Sequence, residues 1–200
     1  CGVALRDGVK LIDGVIDAVW SEATPQNISL GMTKYTADGS AIESTNVVTL
    51  GADGETTWQA LWTNNGIYVL VIVNDDDFYP SYILSEPNNW EWDKVEVYFD
   101  CNYILEDDIG PMTGLGHYQV APAFSATNIA GTPVTETRGE TYAFMVNDPD
   151  YVAEYFVPFS VLKDKDGISV DRTGEIGFDV MISDRDEATN DQGSRRPSSL

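Results

Sequence analysis

Short β-forming runs, closely spaced and cut by Gly, Asn, Asp and Pro, make up nearly all of this sequence, and helical periodicity is almost absent. Residues Ile28 to Tyr35, Thr57 to Thr63, Ile67 to Asn74 and Asp93 to Cys101 read as strands, as do Gly116 to Ala121, Tyr142 to Asn147, Tyr151 to Phe159 and Glu175 to Ser183. Asn64-Asn65-Gly66 separates two of these runs as a tight hairpin turn, and Asn147-Asp148-Pro149-Asp150 separates two more. Only Ile16 to Glu22 and Ser160 to Lys163 suggest a turn of helix. Alternation assigns faces: Val95, Val97 and Phe99 share one side, and Lys94, Glu96, Tyr98 and Asp100 share the other. In the last run Ile176, Phe178, Val180 and Ile182 face inward, with Asp179, Met181 and Ser183 outward. Tyr68 to Val73 is continuously apolar, as a strand covered on both sides would be. Many short strands without helices predict an all-β fold, an antiparallel two-sheet β-sandwich of jelly-roll type, formed as a single unit over residues 1–200.

Charge narrows the partners. Against 33 acidic residues stand 11 basic ones, a formal net charge of -22, which repels phosphate backbones and anionic lipid headgroups. Such a surface serves solubility, or some of its carboxylates hold Ca²⁺, which takes oxygen ligands. Asp75-Asp76-Asp77 and Asp184-Arg185-Asp186-Glu187 close two predicted strands, and Asp75, Asp77 and Asp184 are the candidate ligands. No run of about eighteen apolar residues is present to span a membrane as a helix. Cys1 is what lipoprotein processing leaves at a mature N-terminus, and it can equally pair with Cys101, the other cysteine; either reading suits an extracellular or cell-surface location.

The order of motifs is more specific. Ile12-Asp13-Gly14 with Asp17 and Trp20 opens the chain. Ala60-Leu61-Trp62 leads into Ile67-Tyr68-Val69-Leu70-Val71 and Asn74-Asp75. The run from Trp90 to Asp100 follows, and then Phe156-Val157-Pro158-Phe159 and the run from Gly177 to Asp184. This ordered set resembles the family-nine carbohydrate-binding modules across nearly the whole chain. The resemblance implies a β-sandwich that binds oligo- or polysaccharide without catalysis, holds Ca²⁺, and is attached to or partners a polysaccharide-degrading enzyme acting on plant or microbial glycans. It implies a sugar-stacking role for Trp90 and a hydrogen-bonding role for Glu96. The family's arginine on the next strand falls at Gln119 and its late glutamine at Met181. Its second stacking tryptophan and closing strand would fall beyond Leu200, so residues 187–200 are expected to form a loop, in a unit cut before its last strand.

The chemistry suits this expectation. A sugar offers flat C–H faces to an aromatic plate and a ring of hydroxyls to carboxylates and amides. Trp90, Trp92 and Glu96 share parity and would project from one side of one strand. Each also has a structural reading: either tryptophan can cap the core, and Glu96 can pair with a neighbouring Lys or Arg. Glu91 and Asp93 point opposite Glu96, so this strand offers no clean pair of glycosidase carboxylates. Other readings are a spacer module that binds nothing and a haem-binding electron-transfer domain using His117 and Met181.

Overall fold

A computed structural model describes residues 3–4, 12–28, 30–31, 34–35, 41–42, 56–84, 92–101, 117–163, 167–185 and 197–199. The strands are β1 (Val3–Ala4), β2 (Gln26–Asn27), β3 (Leu30–Gly31), β4 (Lys34–Tyr35), β5 (Ala41–Ile42), β6 (Thr57–Trp62), β7 (Gly66–Val73), β8 (Lys94–Asp100), β9 (His117–Val120), β10 (Val134–Thr135), β11 (Thr141–Asn147), β12 (Asp150–Pro158), β13 (Gly177–Ser183) and β14 (Pro197–Ser199). Among the described residues, helix is confined to a 3-10 turn at Ala18–Glu22 and to α1 (Ser81–Leu84). Ser160 to Lys163 forms a turn rather than a helix.

One sheet, sheet A, runs β1-β6-β7-β12-β11-β10, with β2 also paired to β6. The other, sheet B, runs β3-β14-β13-β8-β9, and β4-β5 form a separate ribbon. Pairing is antiparallel except between β1 and β6, so the expected two-sheet sandwich is present. Where a loop was expected over 187–200, Pro197–Ser199 forms β14 and pairs with both β13 and β3.

The sandwich closes over the predicted inward positions. Val69, Val71 and Val73 of β7 meet Val95, Val97 and Phe99 of β8, and Val180 and Ile182 of β13, in one core. Ile176 and Phe178 pack against it only partly buried. The opposite face of sheet A is also covered, because Trp20 and Ala23 pack on Leu61 and Leu70. Hence β7 is apolar on both faces.

Glu154 pins this outer layer. It is fully buried in the middle of β12. Its Oε1 accepts from the Trp20 indole at 2.9 Å, and its Oε2 accepts from the backbone N–H groups of Asp13 and Gly14 at 3.1 and 2.9 Å. Gly14 has φ +72°, and a Cβ there would meet Met145 N at 2.8 Å. The Ile12-Asp13-Gly14…Trp20 pattern is therefore a clasp over sheet A, with a carboxylate as its catch. At the β6–β7 hairpin a Cβ on Gly66 would lie 2.4 Å from the Val157 carbonyl, so the turn needs glycine there for close approach.

Candidate functional site

The outward face of sheet B gathers the polar residues expected there. Register sets Glu96 opposite Met181 across β8–β13, and Tyr98 opposite Gln119 across β8–β9. Glu96 Oε2 accepts from the Tyr98 hydroxyl and, at 3.2 Å, from the Gln119 amide. The Lys94 ammonium stands 3.7 Å from Oε1, too far for a hydrogen bond but close enough to neutralise the charge. Glu96 is 2% exposed, so it is a deep, oriented acceptor rather than a surface carboxylate. Among the described residues Oε1 keeps lone pairs for a further donor. Glu96, Gln119 and Met181 thus stand together, as their alternation requires.

Trp90 lies outside the described residues, as do Glu91, Asp186 and Cys1. Trp92 is described and is not an open plate. It is 2% exposed, and the Arg185 guanidinium sits 4.2 Å from its ring centroid. A bend at Trp92 and Asp93 precedes β8 and ends the parity argument that aligned Trp92 with Glu96. Cys101 is buried in the core, and its partnership with Cys1 falls outside the described residues. His117 stands opposite Asp100, whereas Met181 stands opposite Glu96. They lie on strands flanking β8, at different heights along it, so the register does not set them side by side.

A second constellation lies at the ends of the central strands. Asp75 follows β7, Asp93 precedes β8 and Asp184 follows β13; all three are buried, with carboxylate oxygens within 4.8 Å of one another. Asp77 is not among them. It is exposed, and only its backbone N–H turns inward, donating to Asp75 Oδ1 at 3.4 Å. Asp93 takes its place, with Oδ1 accepting from the Arg185 N–H at 2.7 Å and Oδ2 from the Tyr79 N–H. Asp75 Oδ2 has no hydrogen-bond partner among the described residues, and neither has the buried Tyr151 hydroxyl.

The electrostatics follow from this crowding. Burial first, then the charge of Asp184, pushes the Asp75 carboxyl up to about 8. Burial and the charge of Asp75 hold Asp93 well above the usual carboxylate range. Burial, then Asp93, Asp75 and Asp184 in turn, raise the Tyr151 hydroxyl far above its ordinary value. Three carboxylates collected away from water repel one another unless protonated or bound to a cation. Oxygens on opposite sides of one Ca²⁺ at about 2.4 Å each lie about 4.8 Å apart, so this spread suits a single hard cation.

A third network supports β9. The buried Glu140 accepts from the Tyr118 hydroxyl at 2.9 Å and from Arg138, whose guanidinium lies 4.8 Å from the Tyr118 ring centroid. Arg138 also donates to the Gln119 carbonyl at 3.3 Å, steadying the strand that presents Gln119.

The described residues thus form a two-sheet β-sandwich with a buried polar cluster on the outward face of one sheet and a buried acidic trio at its strand ends. The carbohydrate family 9 binding domain-like model matches residues 12–198, and the chain belongs to that family of carbohydrate-binding domains. Among solved structures it is similar to a carbohydrate-binding module of family 9 from Caldicellulosiruptor kristjanssonii in complex with glucose, at 14% identity and a TM-score of 0.57, over 98% of this chain and 83% of that one. It is also similar to such a module from the same organism in complex with cellotriose, at 13% identity and a TM-score of 0.56, over 99% and 83%. None of the curated proteins compared with it matches.

Proposed function

We propose that the recessed face of β9-β8-β13 is the saccharide site, with Glu96 as the central hydroxyl acceptor, Gln119 beside it, Met181 as an apolar neighbour, and Trp90 as the stacking plate. The observation that carries this reading is the convergence of Glu96, Gln119 and Met181 from three adjacent strands. Tyr98, Gln119 and Lys94 fix the carboxylate before a ligand arrives, so little ordering is left to binding. Family membership supports a sugar ligand. Glucose and cellotriose, held by the similar modules, name glucans as the first class to test. The site acts by binding, and the module serves to hold an attached or partner polysaccharide-degrading enzyme on its substrate, outside the cell or at its surface.

The same proposal assigns Ca²⁺ to Asp75, Asp93 and Asp184. The cation would neutralise the trio and hold the entry to β8 against the exit of β13. Trp92 is a buried support at that entry, through Arg185.

Titration with glucose, xylose and their oligomers, with native and with reduced ends, followed by tryptophan fluorescence, tests the sugar site. Saturable binding weakened at least about tenfold by Glu96→Gln is expected, since the charged acceptor of a buried hydrogen bond contributes about 1.5–3 kcal/mol. Trp90→Ala should cost about 1–3 kcal/mol, by analogy with aromatic stacking on bases. An unchanged affinity in both variants would exclude this face.

A further inference from the structure

Along β6, sheet A faces the start of β13 in sheet B. A groove of about 750 Å³ opens there, within the range of small-ligand sites. Trp58, Ala60 and Trp62 of β6 alternate along one wall. Ile176 and Phe178, at the start of β13, form the other, and residues 171–174 make the rim with Asn64.

This wall has the composition that a pyranose needs. Trp62 is 41% exposed, the sole tryptophan among the exposed large hydrophobic residues described. Trp58 is braced by Phe178, ring centroids 4.9 Å apart, so it is a fixed surface. Ala60 stands between the two indoles, and its short side chain leaves the space of a ring between them. Trp58 and Trp62 are four residues apart on one face, about 13 Å at strand rise.

The rim is held in place. Arg172 donates to the Asn64 carbonyl at 2.8 Å and lies 5.8 Å from the Phe159 ring centroid. One guanidinium therefore joins the 171–174 turn to the β6–β7 hairpin. Asp171 Oδ1 accepts from Thr173 N and Oγ1 at 2.8 and 2.7 Å, which keeps its carboxylate ionised and the turn fixed. Guanidinium donors, a carboxylate acceptor and an amide around an exposed indole match the alternating hydroxyls and flat C–H face of a sugar. A purely apolar ligand would leave those polar groups idle, and a polyanion would meet the net charge of -22.

We propose that this groove is a second saccharide-binding site, separate from the face of β9-β8-β13, taking a pyranose or short oligosaccharide on Trp62 over Ala60. The test is calorimetric titration of the full chain with cello- and xylo-oligosaccharides, run beside indole N–H spectra in which Trp58 and Trp62 are assigned by Trp→Phe variants. The expected result is shifting Trp62 resonances and a binding event that survives Glu96→Gln. That event should weaken at least about fivefold in Trp62→Ala, as for loss of a stacking ring, and also in Ala60→Leu, which fills the groove without removing a polar group. Static Trp58 and Trp62 resonances at saturation of the Glu96 site, or affinities unchanged in both groove variants, would overturn the second site while leaving the first intact. Loss of all binding in Glu96→Gln alone would do the same.

Discussion

Asp75, Asp93 and Asp184 show how one residue's neighbours decide its role. Asp75 and Asp184 were visible in the sequence because acidic runs end apolar strands. Asp93 was not, because it sits inside the strongest strand motif and alternation gave it a strand face. The bend at Trp92 and Asp93, invisible to a period-two argument, turns it into the trio instead. Asp77 failed for the converse reason: adjacency in sequence does not bring a side chain inward when the chain is turning. The raised carboxyls make a signed prediction for the metal-free protein. Asp75 at about 8 binds its proton in the folded state and releases it near 3.8 when unfolded. Metal-free stability should therefore fall as pH rises from about 4 to about 8, since the folded state holds the extra proton over that window. Thermal melts with chelator across this range should show the fall, and millimolar Ca²⁺ should reverse it most strongly at the alkaline end, where the ligands are deprotonated. Asp184→Asn should abolish the Ca²⁺-dependent rise in melting temperature.

Among the elements, length separated what could be read from what could not. Strands β6, β7, β8, β11, β12 and β13 each have six residues or more, enough to show alternation, and all were expected within a residue or two of their bounds. Strands β1, β2, β10 and β14 have two or three residues, too few to carry a period, and exist through pairing to longer neighbours, while β5 pairs with the equally short β4. The outward residues of β8 and β13 were expected at the surface, yet Glu96, Met181 and Ser183 are buried. Alternation gives a side chain's direction and leaves its cover unknown. The opening Ile12-Asp13-Gly14…Trp20 motif was legible as a signature, but its catch at Glu154 is 134 residues from Trp20 and had no local cue. Glu154→Ala should destabilise the fold by about 3 kcal/mol, because an indole and two backbone N–H groups lose a charged acceptor in a buried layer. Urea denaturation measures this, and Glu154→Gln should recover part of the loss.

For the whole molecule, the sandwich and its family were readable because apolar alternation and motif order span most of the chain. The buried cluster on the outward face of sheet B was readable in part, through Glu96, Gln119 and Met181. The groove was not, because it forms between β6 of one sheet and the start of β13 in the other, and no single segment encodes that meeting. The net charge of -22 is a property at this scale and makes its own prediction. Raising NaCl from about 10 to 150 mM shortens the Debye length from about 30 to 8 Å. Self-repulsion then falls, and the melting temperature of the chelated protein should rise. The acidic trio and Trp62 lie toward opposite ends of β7, the groove wall running from Trp62 back to Trp58, opposite Val71. Trp62 pairs with Ile67, eight residues before Asp75, which puts about 25 Å between Trp62 and the trio, beyond the range over which separate perturbations usually interfere. A cation would rivet one mouth of the sandwich and a sugar would wedge into the other. The thermal protection each confers should therefore sum, so that the doubly loaded domain resists prying from both ends.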